Sequence, residues 1–483
     1  ERGIAQGIGR RRLGRRVVNA HFARVGDEWL LKRTTPRGHM VQRPRGTRDF
    51  GPLASRRRRM LEVLLEDEAR RAGFDRVQTP VFESLDLFTA KSGPGVIGQL
   101  YAFEDKGGRQ LTLRPELTAP VMRMVADELR MDTKPLRLAY HGACFRYEEF
   151  KTGRYREFYQ YGIEVVGASG PLVDAEVIAL AVRMLTASGL GGWTLRIGHV
   201  GLLRDVLAGL GLSAEAPEGK EAPTASAMRL LDTGDEAGLT ALFEAEGLDT
   251  AGLDLLRALG EASGGAEAIE AARPLLEGHG LSTEALDDLA TTVEAVGLLA
   301  PAPPSLEIDL RVARGLDYYT GMVFEAHVPE LGGEGQVLGG GTYRLLHLFG
   351  LEDLDPSCGF GLGFDRVLLA LERQAEAAGR NEVMPGESGP ATRLAVVPFR
   401  VPASAVLGLV RDLREEGLVV DLEMKGRAIG KAFGWADGIG ASHVLVVGPR
   451  DLESGQANLK RLSDGEQMPV ALNREAVLAA LTS

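Results

Sequence analysis

Leu136-Arg137-Leu138-Ala139-Tyr140 and, further on, Phe158-Tyr159-Gln160-Tyr161-Gly162-Ile163-Glu164-Val165-Val166 decide the fold class. Both stretches read as strands, and Glu149–Tyr155 between them has the charge and glycine of a hairpin loop. Strands joined by a short loop run antiparallel. Successive side chains on a strand point to opposite faces, so Phe158, Gln160, Gly162 and Glu164 share one side. That face offers an aromatic ring, an amide and a carboxylate. A solvated sheet face has the same composition, so this stretch alone does not separate a site from a surface.

Working outward, Met60, Leu61, Leu64 and Leu65 recur at helical spacing opposite Arg56–Arg59, Glu62 and Glu66. They predict a helix over Leu53–Ala72, closed by Gly73. Val77–Phe82 reads as a strand that Pro80 confines to an edge or an end, and Leu111–Leu113 as another short strand. Helices mixed with antiparallel strands predict an α+β core rather than a doubly wound sheet. Between about 200 and 304 Ala, Gly, Leu and Glu dominate, with amphipathic stretches at Leu202–Leu210 and Ala225–Leu231. This reads as a helical insertion, ended by Pro301, Pro303 and Pro304.

Strand-like, glycine-rich sequence returns from Leu306 to Gly363, and a helix follows at Arg366–Ala378. Beyond a Gly/Pro linker at 379–391, Leu394–Val397, Val419–Leu422 and His443–Val447 alternate with helical Ala403–Glu415 and Ala428–Ile439. That rhythm predicts a small α/β domain with a mostly parallel sheet. The expected organisation is a leader over 1–39, a core over 40–199 and 305–378, an insertion over 200–304, the linker, and a terminal domain over 392–483.

The chain has 483 residues, too many for one core, with 44% hydrophobic and 25% charged residues, the balance of a globular protein. No run approaches the roughly 18 apolar residues of a membrane helix. Two cysteines, Cys144 and Cys358, exclude a disulfide framework and fit a reducing cytoplasm. A net charge of −11 argues neither for nor against a local nucleic-acid surface. Residues 1–39 hold ten Lys/Arg against three Asp/Glu. Three readings fit this leader: a transit-like segment, a flexible RNA-binding arm, or translated sequence upstream of a start at Met40, the one preferred because organisation begins at Pro44.

Three segments combine arginine, carboxylate and aromatic residues. They are Phe145-Arg146-Tyr147-Glu148 with Arg154–Glu164, Ala313–Gly321, and Gly359-Phe360-Gly361-Leu362-Gly363-Phe364-Asp365-Arg366. The last is a glycine-rich strand opening into a helix, a junction suited to phosphate. It lacks the Gly-Lys-Ser/Thr of a Walker loop and is no dinucleotide fingerprint.

Phe145–Glu148 with Arg154–Glu164 resembles motif 2 of class II aminoacyl-tRNA synthetases. Gly359–Arg366 resembles motif 3, and Thr79-Pro80-Val81-Phe82-Glu83 the dimer-forming motif 1. Arg45-Gly46-Thr47-Arg48-Asp49, Leu113-Arg114-Pro115-Glu116-Leu117-Thr118 and Arg314-Gly315-Leu316-Asp317-Tyr318-Tyr319 are similar to the histidyl branch of that family. The resemblance runs from Pro44 to the C-terminus. It implies an antiparallel class II catalytic domain, a helical insertion that clamps the tRNA acceptor stem, and an α/β anticodon-binding domain. It also implies a cytoplasmic homodimer that joins L-histidine to tRNA(His) with ATP and Mg²⁺.

By the same resemblance Arg146, Arg314 and Arg366 are catalytic. Arg146, Glu148, Arg154, Phe158 and Arg366 bind ATP, with Phe158 stacking on adenine. Glu116, Thr118, Arg146, Gln160, Glu164, Arg314, Tyr318, Tyr319 and Tyr343 bind histidine. The protein supplies no expected metal ligand, Mg²⁺ arriving on the phosphates. Planar guanidinium groups suit this chemistry because each can hold two phosphate oxygens at once. Gly339-Gly340-Gly341-Thr342-Tyr343-Arg344 and Leu117 depart from the common bacterial pattern and resemble an archaeal-type branch. In the terminal domain, Trp435 on the Ala428–Ile439 helix either faces the anticodon beside Lys431 or packs into the core. The rival reading is a paralogue, the regulatory subunit of ATP phosphoribosyltransferase, which typically lacks the anticodon domain and loses catalytic arginines; this chain keeps Arg146, Arg314 and Arg366.

Overall fold

A computed structural model describes residues 8–9, 20–25, 28–32, 42–92, 94–147, 155–216, 221–249, 251–311, 319–387 and 392–482. It divides into two units, Glu1–Arg373 and Gln374–Ser483. The leader carries three short antiparallel strands, β1 (Ile8–Gly9), β2 (Ala20–Val25) and β3 (Glu28–Lys32).

Helix α1 (Pro52–Arg71) begins at a proline, where a missing N–H costs nothing, and buries Leu61, Leu65 and Ala69. Val77–Phe82 is not one strand. β4 (Asp75–Arg76) pairs parallel with β8 (Leu136–Phe145), whereas β5 (Phe82–Ser84) pairs with β7 (Gln110–Leu113) in a separate three-stranded sheet with β6 (Tyr101–Glu104). Pro80 cannot donate to a ladder, so the chain leaves one sheet and enters another across it. Helix α2 (Leu85–Ser92) follows, and α3 (Thr118–Asp127) buries Val121, Met122 and Val125 beside the small sheet. Arg123 of α3 holds Glu83 of β5 through two 2.9 Å bonds.

β8 and β9 (Glu157–Val166) form the expected hairpin in register from Leu136↔Val166 to Phe145↔Glu157. Helix α4 (Pro171–Ala187) packs behind, and β10 (Thr194–His199) leads into six helices: α5 (Val200–Gly209), α6 (Pro223–Thr233), α7 (Glu236–Ala245), α8 (Ala251–Glu261), α9 (Glu267–Gly278) and α10 (Glu284–Leu299). The chain returns through β11 (Ser305–Ile308), β12 (Tyr319–His327), β13 (Gln336–Tyr343) and β14 (Ser357–Gly363) to α11 (Phe364–Ala377). The completed eight-stranded sheet has the order β11-β10-β12-β13-β14-β9-β8-β4. Its interior pairings are antiparallel and its two edge pairings parallel.

The helices join the sheet at its edge. Gly264, between α8 and α9, bridges Ile308 antiparallel. The Arg311 guanidinium lies against α8, where a Cβ at Gly260 would stand 1.9 Å from its Nε and would push that flexible side chain aside.

In the second unit β15 (Arg393–Pro398), α12 (Ser404–Glu415), β16 (Val419–Leu422), α13 (Ile429–Gly438) and β17 (His443–Val447) alternate as expected. The sheet is less parallel than the sequence suggests. After α14 (Pro449–Ser454), β18 (Gln456–Arg461) and β19 (Gln467–Ala471) add an antiparallel hairpin to the parallel β16-β15-β17 trio, and α15 (Arg474–Thr482) ends the unit. Trp435 is half-buried against the α13 side of this core with Arg427 5.4 Å from its ring centroid, and Lys431 is exposed.

Arg114 locks the small sheet to the large one. It is 4% exposed and donates to the carbonyls of Ala143 (2.8 Å), Thr79 (2.8 Å) and Pro80 (3.1 Å). Replacing Arg114 with Leu strands those carbonyls, at about 1–3 kcal/mol for each buried group left unpaired. The expected result is a denaturant midpoint lowered by the equivalent of about 3 kcal/mol; an unchanged midpoint refutes the lock.

Candidate active site

Parity holds on β9. Phe158, Gln160 and Glu164 share a face, and it is not a solvated one: Glu164 is 1% exposed. Its carboxylate accepts from the Tyr140 hydroxyl (2.7 Å) on β8 and the Tyr343 hydroxyl (2.6 Å) on β13. Tyr140 in turn shares a 3.2 Å hydrogen bond with Thr118 Oγ1 at the start of α3. Glu116 accepts from the Thr118 N–H at 2.6 Å and the Ala119 N–H at 3.2 Å, so a carboxylate and a hydroxyl are fixed together on that first turn. Tyr319, opposite Tyr343 in register, meets it edge-on with ring centroids 6.4 Å apart.

Glycines make the room. Gly359 faces Glu164 across the β14–β9 ladder, and a Cβ there would sit 1.9 Å from Glu164 Oε2. Gly162 does the same for Tyr140, whose hydroxyl would lie 2.5 Å from an added Cβ. Burial is the largest influence on Glu164 and raises its pKa from 4.5 to about 7, against the hydroxyls of Tyr343 and Tyr140, which favour the charged form. Both tyrosines are pushed well above 10, by burial first and then by the neighbouring carboxylate.

Of the other residues singled out in the sequence, Arg146, Phe158, Gln160 and Arg366 lie toward one end of the same sheet. Phe145 pairs with Glu157 and Gly363 with Gln160, so the chain leaves β8 toward Arg146 and leaves β14 toward Arg366 on either side of β9. Arg146 Nε donates to the Pro115 carbonyl (3.0 Å), and its guanidinium stands 5.3 Å from the Phe158 ring centroid. Arg366, in the first turn of α11, donates to the Gln336 carbonyl (2.8 Å) at the start of β13. Gln160 Oε1 accepts from the Cys144 thiol (3.3 Å), which burial pushes up to about 12 and so keeps protonated. Glu148, Arg154, Arg314 and Tyr318 lie outside the described residues.

Two participants are not visible in the sequence alone. Tyr140 emerges once the hairpin register is known, since it stands opposite Gly162 beside the Glu164 face. Asp365, next to Arg366, accepts from the Tyr159 N–H (2.7 Å) and pairs with Arg48 (2.8 Å) and Arg58. An acid beside a motif arginine was the only signal for it. Among the described residues no group of three or more His, Cys, Asp or Glu is arranged to hold a metal ion, and no helix is long and apolar enough to cross a membrane.

A family model described as histidyl-tRNA synthetase matches residues 46–367, and one described as an anticodon binding domain matches residues 394–482. A histidine–tRNA ligase from Methanoregula boonei is 40% identical over 429 residues, covering 89% of this chain and 96% of that protein. Among solved structures, a histidyl-tRNA synthetase from Nostoc is 24% identical with a TM-score of 0.74, covering 92% of this chain and 99% of that one. A Bacillus halodurans structure described as an ATP phosphoribosyltransferase regulatory subunit/histidyl-tRNA synthetase is 25% identical with a TM-score of 0.69, covering 86% of this chain and 100% of that one. Matched over most of its catalytic unit and its terminal unit alike, the chain belongs to the histidyl-tRNA synthetase family, with a class II catalytic domain and a C-terminal anticodon-binding domain.

Proposed function

We propose that this chain activates L-histidine with ATP and transfers it to the 3′ end of tRNA(His). In the first step a histidine carboxylate oxygen attacks the α-phosphorus, the bond to the bridging oxygen breaks, and pyrophosphate leaves. In the second a ribose hydroxyl of the terminal adenosine attacks the acyl carbon, its proton is lost, and AMP leaves. Mg²⁺ enters with ATP as part of the substrate. Both steps need charge neutralised and groups positioned more than they need covalent help.

The observation that carries this reading is the buried carboxylate of Glu164 between two tyrosine hydroxyls. A carboxylate poised near neutrality inside the sheet is a ready acceptor for an imidazole N–H, and Tyr343, Tyr319, Thr118 and Glu116 stand within the same chain of contacts. Leaving such groups unpaired is costly, so a side chain that cannot hydrogen-bond is rejected strongly. Gln160, Tyr318 and Arg314 complete the proposed histidine set. On the ATP side Arg146 and Arg366 take phosphate oxygens with Arg314 and Arg154, Glu148 meets the adenine amino group, and Phe158 stacks on the ring. The anticodon-binding domain supports tRNA as acceptor, and the motif 1 segment supports a homodimer; a cytoplasmic site of action belongs to the same reading.

The Bacillus halodurans structure favours a second reading, since its description also names a regulatory subunit. Histidine-dependent ATP–pyrophosphate exchange separates the two, because a regulatory paralogue catalyses none. Exchange is expected from the purified chain and from one begun at Met40, and tRNA charging should follow; absence of exchange overturns the proposal. Glu164→Ala is expected to raise the histidine KM by two orders of magnitude or about 3 kcal/mol, in line with an unpaired buried partner, while the ATP KM stays within about twofold. Near-normal exchange at low histidine refutes the assignment of Glu164.

Linkage gives an independent check on the same carboxylate. Its folded pKa of about 7 exceeds the ordinary 4.5, so its contribution to stability is intact below 4.5 and is lost as pH rises through 7. Glu164→Gln removes that loss. Between pH 5 and pH 8 the variant should gain about 2–3 kcal/mol relative to the parent chain, since each tenfold change in proton affinity is worth about 1.4 kcal/mol. A stability difference that stays flat between those two pH values shows that the site is not desolvated as described.

A further inference from the structure

Two guanidinium groups share one carboxylate oxygen at the root of α11. Arg48, from the Arg45–Asp49 segment, lies 2.8 Å from Asp365 Oδ1, and Arg58 of α1 pairs with that same oxygen. The other oxygen, Oδ2, accepts from the Tyr159 backbone N–H of β9 at 2.7 Å. Asp365 is 7% exposed, so the charge is held out of water. The cations are also fixed by rings. Arg48 lies 3.4 Å from the Tyr155 centroid, and Arg58 lies 4.0 Å from that of Phe50 and 4.4 Å from that of Tyr159.

These contacts join four separate pieces of chain: the segment before α1, α1 itself, the outgoing strand of the hairpin, and the first turn of α11. The strand residue Asp365 holds is the neighbour of Phe158, and the helix residue after it is Arg366. Glu164 stands five residues further along the strand, on the far side of Gly162. One carboxylate therefore sets the spacing between the adenine-side strand and the phosphate-side helix, while the histidine side is held by its own tyrosine network. An aspartate in the first turn of a helix ordinarily acts on that helix's own positive end. Here both oxygens are committed to other elements.

We propose that Asp365, clamped by Arg48 and Arg58, is a positioning residue that fixes Arg366 and the Phe158 strand for ATP and leaves the histidine pocket untouched. The inference rests on the reading that Arg366 and Phe158 face ATP. Asn at 365 keeps an oxygen for the Tyr159 N–H but removes the anion, leaving two guanidinium groups facing each other across an uncharged amide. That is a loss of geometry as well as charge, since displacements of an ångström in a reacting site cost up to about a hundredfold.

Histidine-dependent ATP–pyrophosphate exchange is measured on the full chain, varying ATP and histidine separately, for the parent, Asp365→Asn and Arg48→Gln, with thermal unfolding on the same preparations. Asp365→Asn is expected to raise the ATP KM by about tenfold or more with the histidine KM within about twofold. Arg48→Gln, which keeps the Arg58 pair, should shift in the same direction by a few fold, and it carries the test should Asp365→Asn fail to fold. Equal rises in both KM values, or folded variants with an unchanged ATP KM, overturn the inference. A parent chain without exchange removes the reading beneath it and the inference with it, whereas an active parent with unaffected variants overturns the inference alone.

Discussion

A carboxylate sealed inside a sheet must be given hydrogen bonds or surrender its charge, and the catalytic unit is arranged around that constraint at Glu164. Stripping an ionised group of water costs several kcal/mol in real proteins, and two tyrosine hydroxyls return part of it. Their positions require strands that are remote in sequence to lie side by side: Tyr140 comes from β8 and Tyr343 from β13, with Gly359 of β14 passing between without a side chain. The order β13-β14-β9-β8 is thus what brings one acid and two hydroxyls to a point. The compromise between burial and the two hydroxyls leaves the acid with a pKa of about 7, well above the usual carboxylate range.

Buried cations are handled by a different means. Arg114 has its pKa lowered by burial, and what satisfies it is a set of backbone carbonyls. Each of those carbonyls belongs to a chain segment that would otherwise need another donor, so the guanidinium serves as a spacer with fixed hydrogen-bond directions. Arg146 and Arg366 also touch carbonyls, of Pro115 and Gln336, but each is half-buried and stands just beyond the end of a strand. One type of side chain therefore meets backbone carbonyls at two depths: Arg114 is buried, and Arg146 and Arg366 are half-buried where the strands run out.

The hairpin and the face of β9 were legible because a period of two needs no knowledge of neighbours; Phe158, Gln160 and Glu164 had to share a side. Their partners were not legible. Tyr140 and Tyr343 reach Glu164 only through strand order and register, which local sequence does not encode, and the histidine-side roles came from resemblance before any geometry. Val77–Phe82 misled because its β-forming residues are continuous while its pairing is not, Pro80 marking a change of sheet rather than the end of one. In the terminal unit the β16-β15-β17 trio showed itself through helices between strands. The β18–β19 hairpin was hidden by Lys460, Arg461, Asp464 and Glu466, whose charges obscure the inward Ala457 and Leu459.

The helical insertion shows how far such logic extends beyond the sheet. Its sequence carries no motif, yet its attachment is specific: Gly264 extends the edge strand through Ile308, and Gly260 yields its side-chain space to Arg311. Both glycines act on residues of the catalytic sheet or just beyond its last edge residue, rather than on the packing of the helices among themselves. A free-standing helical module would bury its own surface and join by a flexible tether. Here the helices are joined to the catalytic unit by that backbone bridge and along whole elements as well, with α10 packed on α4 and α5 on β12. The insertion's composition is bland because what fixes it is ordinary apolar packing, Leu286, Leu289 and Val296 being buried on α10 and Leu202, Leu203 and Val206 on α5, with no special residue type to give it away.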